Sequence, residues 1–480
     1  IMSSDWSSDV CSSDLENSVP VWDRFEVVLE SSTAYENPLY EVPEFYALFT
    51  SPGGRTHKIN GFWDGGTVWR IRFMPEEKGA WEYTTICSDT LNGGLHHQSG
   101  TFRCTENDSP LDLYRHGSIR TVPGSYHLSH ADGTPFFWQG CTAWNGGLKS
   151  RAVEWEHYLQ QRAGHGYNVI QLVGTQWRGC DTNGRGEVAF TGSGRISLNP
   201  SFFQYFDMKM DRINAHGHVA ALVLLWALPF GEGMELSPGY YLPEKEAILL
   251  ARYMVARYGA HHVAWVLGGD GKYYGELECR WRHIGREVFR DRPQGPATLH
   301  PHGRSWVGEI YRDESWYDID GYQSSHSTSE GTVRFIHHTI GRGWEKLAPR
   351  PVINMEPCYE EIRQRISDDD VRQASYWSIF AAPPAGITYG ANGIWPWIRE
   401  GEKPLNHYHP EKVSTWDESI EFPGSRQIGY LGEMIRSIRW WDMLPAQELL
   451  LEQPGEEDYK RHISVLKSRD HTLIMAYLPG

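Results

Sequence analysis

The sequence predicts an α/β protein built on a (β/α)8 TIM barrel, flanked by an N-terminal β-sandwich and a partial C-terminal β-domain. Short strand patterns fill the first hundred residues, and strand patterns then alternate with helix patterns from about residue 110. The second rhythm is typical of a parallel sheet whose strands are joined by crossover helices. The chain has 480 residues, which leaves room for a barrel of roughly 250 residues and for further domains.

Residues 16–108 predict the sandwich, which we expect to be immunoglobulin-like. Alternating apolar residues are separated by Gly, Pro, Asn and Asp at near-regular spacing, as in short antiparallel strands joined by turns. The expected strands are residues 25–30, 45–49, 67–73 and 81–85. Residues 1–15 contain Ser-Ser-Asp three times and resemble translated adapter sequence, so they are left out of the fold prediction.

Residues 109–445 predict the barrel, because eight strand patterns alternate there with helix patterns. The expected strands are residues 136–142, 168–173, 219–226, 262–267, 297–299, 318–323, 351–354 and 386–389. Helices are expected at residues 153–163, from residue 200 onward, and at 243–258, 277–289, 368–380 and 425–439. Residues 446–480 predict two more strands, 463–466 and 472–478, as the truncated start of a C-terminal β-domain.

The charge of the chain argues against two classes of partner. Its 61 acidic residues outnumber 45 basic residues, for a net charge of −16, whereas nucleic acids and anionic membranes attract basic surfaces. The chain has no apolar run of the about 18 residues that a membrane span requires. No secretory signal is visible, so we expect a cytoplasmic protein.

The seven cysteines are scattered and form no C-x-x-C pair, which disfavours a zinc cage. Such a set is typical of reduced thiols, although Cys87 and Cys104 could bridge two strands. The sequence contains no G-x-S-x-G elbow, Walker loop or G-x-G-x-x-G motif. No cofactor is predicted.

Two carboxylates directly follow apolar strands of the predicted barrel, Asp270 after the fourth and Glu356 after the seventh. Active residues of a barrel lie just beyond the carboxyl ends of its strands, and these two strands lie on opposite sides of its mouth. Glycosidic cleavage needs one carboxylic acid to protonate the leaving oxygen and a second carboxylate to attack the anomeric carbon or to activate water. We therefore predict Asp270 and Glu356 as a catalytic pair. The alternative for either acid is a structural role, as a helix cap or as the partner of an arginine.

The glycines that precede Asp270, Gly268 and Gly269, are expected to let a substrate approach the backbone closely. Aromatic and polar residues follow the other predicted strands and could stack on sugar rings or bind their hydroxyl groups. For each tryptophan among them, ordinary core packing is the alternative. The predicted substrate-binding residues are Trp144, Asn145, Gln176, Trp177, Trp226, His300, His302, Gln323, His326, Tyr359, Trp395 and Trp397.

Three segments, residues 132–144, 265–270 and 356–360, resemble the first, fourth and seventh strand motifs of the apiosidase-like glycoside hydrolases. Residues 61–75 resemble the β-sandwich that often precedes such barrels. The resemblance implies an acid/base aspartate on the fourth strand and a nucleophilic glutamate on the seventh, which correspond to Asp270 and Glu356. Cys141 departs from the pattern, because family members often carry an acidic or hydroxyl residue there. Specificity for apiose is therefore not implied.

The predicted function is an exo-acting, retaining glycoside hydrolase that cleaves plant or microbial oligosaccharides. Retention requires carboxyl groups about 5–5.5 Å apart, whereas inversion requires roughly 6.5–9.5 Å. One alternative is a non-catalytic carbohydrate-binding protein on a barrel scaffold. Another is a metal-dependent barrel hydrolase or isomerase that uses histidines such as His300 and His302. It would need three convergent ligands, which the sequence does not supply, so no metal site is predicted.

Overall fold

The computed structural model describes residues 17–407 and 412–479, in which eight parallel strands form the predicted barrel. Each strand is almost wholly buried because one face points into the barrel and the other packs against helices. The barrel strands are Trp138–Thr142, Val169–Val173, Val219–Trp226, Val263–Gly271, Ala297–Pro301, Asp320–Gln323, Val352–Glu356 and Gly386–Tyr389. The predicted barrel is therefore confirmed, including its short fifth and sixth strands.

The barrel closes through the first and eighth strands, which pair directly from Trp138 to Cys141. Its seam lies between the fifth and sixth strands, where pairing reduces to a single bridge between Thr298 and Ile319. The hydroxyl of Thr298 donates to the carbonyl of Ile319 over 2.7 Å. Side-chain contacts and a few backbone hydrogen bonds therefore join these two strands, instead of a regular ladder of backbone hydrogen bonds.

Six longer helices surround the barrel: Ala152–Gly164, Pro200–Ala215, Glu244–Tyr258, Glu278–Val288, Asp368–Ala381 and Pro423–Arg436. The fifth and sixth strands are followed by short pieces instead, namely Gly308–Tyr311, Glu330–Arg334, the π-helical Phe335–Ile340 and Gly341–Gly343. Other short helices are Pro38–Glu41, Asp112–His116, Gly146–Lys149, Pro238–Tyr241 and Trp416–Ser419. No helix in the described ranges is both long enough and apolar enough to cross a membrane.

The predicted N-terminal β-domain is confirmed and consists of two sheets with an apolar core of their own. The five-stranded sheet contains, in spatial order, Ser18–Pro20, Ser99–Thr105, Gly79–Cys87, Phe45–Thr50 and Thr56–Asn60. The three-stranded sheet contains Phe25–Glu30, Val68–Phe73 and Phe62–Gly65. Stacked aromatic rings fill the space between them, such as Phe49 on Phe73 at 4.4 Å.

The suggested bridge between Cys87 and Cys104 is wrong, because both thiols are free and buried. The two residues lie on paired strands, but the register places Cys104 opposite Gly79. Gly79 begins the strand that Cys87 ends, so the two cysteines are separated along most of its length.

A buried ionic network docks the three-stranded sheet onto the barrel helices. Arg257, whose side chain has no exposed surface, lies 2.8 Å from Asp64 of the β-domain and 2.7 Å from Asp207 of the neighbouring helix. Arg72 reaches the same Asp207 from the sheet at 2.7 Å and pairs with Glu26. Each charge in the network is thus opposed by a charge from another element.

Smaller sheets complete the fold. Ile119–Thr121, Leu128–His130 and Pro135–Phe136 precede the first barrel strand, and Phe190–Thr191 pairs with Ser197–Leu198 in the loop after the second. Towards the C-terminus, Met443–Pro445, Ser464–Ser468 and Ile474–Tyr477 form an antiparallel sheet. Tyr477 stacks on Tyr376 at 4.5 Å, so this sheet packs against helix Asp368–Ala381.

Candidate active site

Asp270 lies near the end of the fourth barrel strand, which continues through both glycines to Gly271. The register with the fifth strand shifts on either side of Gly269, and Asp270 has a φ of +53°. Irregular pairing of this kind bends a strand and redirects its side chains. A left-handed backbone is uncommon for residues other than glycine, so neighbouring contacts must hold Asp270 in this conformation.

Gly268 and Gly269 make room for the protein's own aromatic rings, which corrects the expectation that they admit substrate. A Cβ atom on Gly269 would lie 2.4 Å from the ring of Trp226. On Gly268 it would lie 2.5 Å from the hydroxyl of Tyr273 and 2.9 Å from Trp281. The glycine pair therefore serves the packing beneath the barrel mouth.

Glu356 is the last residue of the seventh barrel strand and is buried. Its Oε1 lies 2.8 Å from Nε2 of His326, and its Oε2 lies 3.2 Å from Nε2 of His300. The hydroxyl of Tyr359 also faces this carboxylate. Three predicted substrate-binding side chains therefore surround Glu356.

The surroundings drive the pKa values of the two acids in opposite directions. Burial and the negative charge of Glu356 raise the pKa of Asp270 to about 7, although His300, His326 and Arg178 oppose the shift. Burial would also raise the pKa of Glu356, but His300 and His326 outweigh it and hold this pKa well below its ordinary range. Near neutral pH the pair can therefore hold one protonated and one ionised carboxyl group.

Gln323 and His300 connect the strands that carry the two acids. The amide of Gln323 lies 3.5 Å from Oδ1 of Asp270, and Gln323 is paired in register with Glu356 on the adjacent strand. The backbone N–H of Asp270 donates to Nδ1 of His300 over 3.3 Å. Both predicted residues thus lie between Asp270 and Glu356.

Four of the predicted tryptophans form one aromatic group beside the acids. Trp226 packs against Trp177 at 4.2 Å and against Trp144 at 5.4 Å, and Trp395 lies 6.4 Å from Trp177. Trp144 donates to the hydroxyl of Tyr359 over 2.8 Å. Trp144, Trp177 and Trp226 are nearly inaccessible, whereas Trp395 is partly exposed. Trp395 therefore offers the accessible face of this group.

Three predicted residues have mainly structural contacts. Trp397 is fully buried and stacks on Trp416 at 5.1 Å, away from the acids. Gln176 uses its amide to hold the loop at Ala189 and Phe190. Asn145 accepts a hydrogen bond from the indole of Trp177 over 2.8 Å and donates to two backbone carbonyls.

His302 lies at the mouth on the side of Asp270. Its Nε2 is 3.2 Å from the hydroxyl of Tyr274, and its ring contacts Phe230 edge-on at 5.8 Å. Phe230 is half-exposed. These three side chains form a rim outside the buried acids.

Four residues near the site are not among the predicted binding residues: Arg178, Tyr274, Phe230 and Asn406. The Arg178 guanidinium donates to the carbonyls of Glu232 and Asn406, both over 3.0 Å, and its charge acts on Asp270. Arg178 directly follows Trp177 at a strand end, which was a usable signal. Phe230 and Asn406 lie in long loops, where no periodic pattern marks them.

A (β/α)8 barrel with acids at the carboxyl ends of its fourth and seventh strands is the arrangement expected of a barrel glycoside hydrolase. The family model of the apiosidase-like catalytic domain matches residues 123–442. The chain therefore belongs to the apiosidase-like family and is a glycoside hydrolase, as the resemblance implied. Residues 18–88 match a domain of unknown function, DUF5060. A search of curated proteins found no match.

Solved structures of glycoside hydrolases share this fold. One glycoside hydrolase is 22% identical with a TM-score of 0.65, over 77% of this chain and 85% of its own. A family 5 glycoside hydrolase from Bacteroides vulgatus is 23% identical with a TM-score of 0.64, over 75% of this chain and 80% of its own. At these identities the similarity establishes the fold.

Proposed function

We propose that the protein is a retaining glycoside hydrolase in which Glu356 is the nucleophile and Asp270 is the acid/base. The observation that carries this proposal is the opposite environment of the two acids. Two histidine nitrogens face the carboxylate of Glu356, which favours its ionised form. Burial and the nearby charge favour a protonated Asp270. A nucleophile must be ionised and a general acid must be protonated at the operating pH.

The reaction follows from these two states. Glu356 attacks the anomeric carbon while Asp270 gives its proton to the leaving oxygen, and a covalent glycosyl-enzyme forms. Loss of the negative charge on Glu356 then removes the repulsion that raised the pKa of Asp270. Asp270 can therefore act as the base that activates water in the second step.

We further propose an exo-acting enzyme whose substrates are plant or microbial oligosaccharides. Arg178 binds the carbonyls of Glu232 and Asn406, and the amide of Asn406 donates back to the carbonyl of Arg178 over 2.7 Å. These bonds tie together three loops at one side of the mouth. A closed side supports binding of a chain end, and the accessible face of Trp395 suits the CH face of a sugar.

The proposal is tested by screening aryl glycosides, furanosides included, on the wild type, Asp270→Ala and Glu356→Ala. We expect activity in the wild type and its loss in both variants, with Glu361→Ala as a control because Glu361 is an exposed acid on the same loop. Activity that survives both substitutions would overturn the catalytic assignment. Activity that a chelator abolishes would favour the metal-dependent alternative.

The stereochemistry is tested on the first substrate found. Proton NMR during early turnover identifies the anomer that is released before mutarotation. A first product with the configuration of the substrate supports the double displacement, whereas the opposite anomer shows inversion and excludes Glu356 as a nucleophile.

A further inference from the structure

The imidazole of His300 is enclosed between the two acids and has no exposed surface. The backbone N–H of Asp270 donates to its Nδ1 over 3.3 Å, and its Nε2 lies 3.2 Å from Oε2 of Glu356. Both ring nitrogens are therefore directed at the protein. The prediction from the sequence was a contact to the substrate, whereas both ring nitrogens face protein groups and the side chain has no exposed surface.

The hydrogen bond from Asp270 determines which nitrogen of His300 carries the proton. A neutral imidazole has one N–H and one acceptor nitrogen, and the contacts of one nitrogen fix the state of the other. Because Nδ1 accepts the N–H of Asp270, the proton resides on Nε2 and faces Glu356. The ring is held edge-on against Trp144 at 5.5 Å and lies 6.4 Å from Trp226, which prevents it from turning over.

We propose that His300 is a positioning residue that holds both acids at once, the strained backbone of Asp270 through Nδ1 and the carboxylate of Glu356 through Nε2. This inference rests on the proposed roles of the two acids. The hydrogen bond to Nδ1 stabilises a left-handed backbone that an aspartate rarely adopts. The acid/base group is thereby aimed by the same side chain that orients the nucleophile.

Other polar groups also face the two acids, and they determine how strongly the removal of His300 should affect the ionisation of Glu356. Glu356 also faces His326, Tyr359 and the charge of Asp270. Asp270 faces Gln323 and the charges of Arg178, His326 and Glu356. Because His326 remains next to Glu356, removal of His300 should weaken the stabilisation of its ionised form without abolishing it.

Two substitutions separate the two contacts. His300→Asn keeps an acceptor near the position of Nδ1 and loses the group that faces Glu356, whereas His300→Gln keeps a donor near the position of Nε2. We expect the acidic limb of the kcat/KM profile to move to higher pH in His300→Asn and to stay close to the wild type in His300→Gln. In both variants kcat should fall, by about 100-fold where the acid is misplaced by an ångström, with KM within about threefold. His338→Asn, at an exposed histidine outside the site, is the matched control.

A second measurement does not depend on activity. In protein labelled with 15N-histidine, the imidazole resonances that disappear in His300→Gln belong to His300. The proposal requires a neutral ring protonated at Nε2 near neutral pH. A doubly protonated ring would overturn it, because a protonated Nδ1 cannot accept the N–H of Asp270.

The two proposals fail in different ways. If the wild type hydrolyses no aryl glycoside, the proposed function loses its support while the spectrum still tests the position of His300. If the wild type is active and both His300→Asn and His300→Gln keep the pH profile and the kcat of the His338→Asn control, the positioning role is wrong. Thermal unfolding of each variant identifies any that fail to fold, and the wild-type spectrum then decides the question alone.

Discussion

Nε2 of His326 lies 2.8 Å from Oε1 of Glu356, on the opposite oxygen from the one that His300 faces. The carboxylate therefore lies between two histidines, one from the fifth barrel strand and one from the loop after the sixth. His300 is wholly buried, whereas the side chain of His326 is 22% exposed. His326 is accordingly the one of the two that the substrate can reach.

We expect His326→Leu to shift the acidic limb of the kcat/KM profile to higher pH. The variant removes a group that stabilises the ionised form of Glu356, so the pKa of Glu356 should rise. Rate measurements against pH on an aryl glycoside test this, with the exposed His338→Leu as control. An unchanged acidic limb would show that His326 does not influence the ionisation of Glu356.

Asp270→Asn should stabilise the protein at alkaline pH. The folded state raises the pKa of Asp270 to about 7, so the folded protein binds this proton more tightly than the unfolded chain, and stability is lost as pH rises from about 4 to about 7. The uncharged amide removes this loss. We expect the variant to gain on the order of 1–4 kcal/mol over the wild type at pH 8 and little at pH 4.

Denaturant unfolding at the two pH values measures the difference. Asp313→Asn is the control, because the side chain of Asp313 is 83% exposed. An equal effect of Asp270→Asn at both pH values would mean that the carboxyl group is not protonated preferentially in the folded state.

Trp395 and Trp397 should respond differently to alanine substitution, although they are separated by one residue. Trp395 is partly exposed beside the aromatic group and stacks on His407 at 5.6 Å, so Trp395→Ala should mainly raise KM. Trp397 is enclosed by Trp155, Tyr158 and Trp416, so Trp397→Ala should cost about 3–5 kcal/mol of unfolding free energy. Kinetic and unfolding measurements on both variants test this difference. A loss of stability in Trp395→Ala but not in Trp397→Ala would contradict the prediction.

Gly269→Ala should impair both folding stability and activity. The added methyl group would meet the ring of Trp226 at 2.4 Å, and overpacking of this kind typically costs about 1–3 kcal/mol. Displacement of the ring would also disturb the aromatic group beside the acids. Gly93→Ala is the control, since its Cβ would meet nothing within 4 Å. Equal melting temperatures for the two variants would contradict the packing role of Gly269.

Arg257→Met should destabilise the junction of the β-domain and the barrel. The substitution removes the buried guanidinium that Asp64 and Asp207 share and leaves them with Arg70 and Arg72 as their remaining partners. We therefore expect a loss of up to about 3–5 kcal/mol, the cost of breaking a buried ion pair. Denaturant unfolding measures the loss. Exposed Arg212→Met, which removes a surface pair with Glu156, should change stability by less than about 1 kcal/mol.

The sequence was sufficient to predict the barrel and the positions of both acids at strand ends. Continuous apolar runs such as Val219–Trp226 can satisfy their burial only in a sheet covered on both faces. The fourth strand is longer than the predicted residues 262–267, because the two glycines that follow this run continue the strand through Gly271. Local pattern cannot reveal this, since the space those glycines leave is filled by rings from elsewhere in the chain.

The roles of individual side chains were harder to predict than their positions. His300, Trp144 and Trp397 all follow predicted strands, yet His300 and Trp397 are fully buried and bind other protein groups. Whether His300 contacts the protein or a ligand depends on the direction of the backbone N–H of Asp270. That direction is set only when the barrel is assembled. The free thiols of Cys87 and Cys104 were also not predictable from the sequence, because strand register decides whether two cysteines lie close enough to bond.

The seam between the fifth and sixth strands gives the polar side chains of the site a second task. Asp270 and His300 stand on one side of it, and Gln323 and Glu356 stand on the other. The contacts of Gln323 with Asp270 and of His300 with Glu356 therefore span the gap in the barrel wall. The residues proposed for catalysis therefore also join the two sides of the barrel wall where its backbone pairing is weakest.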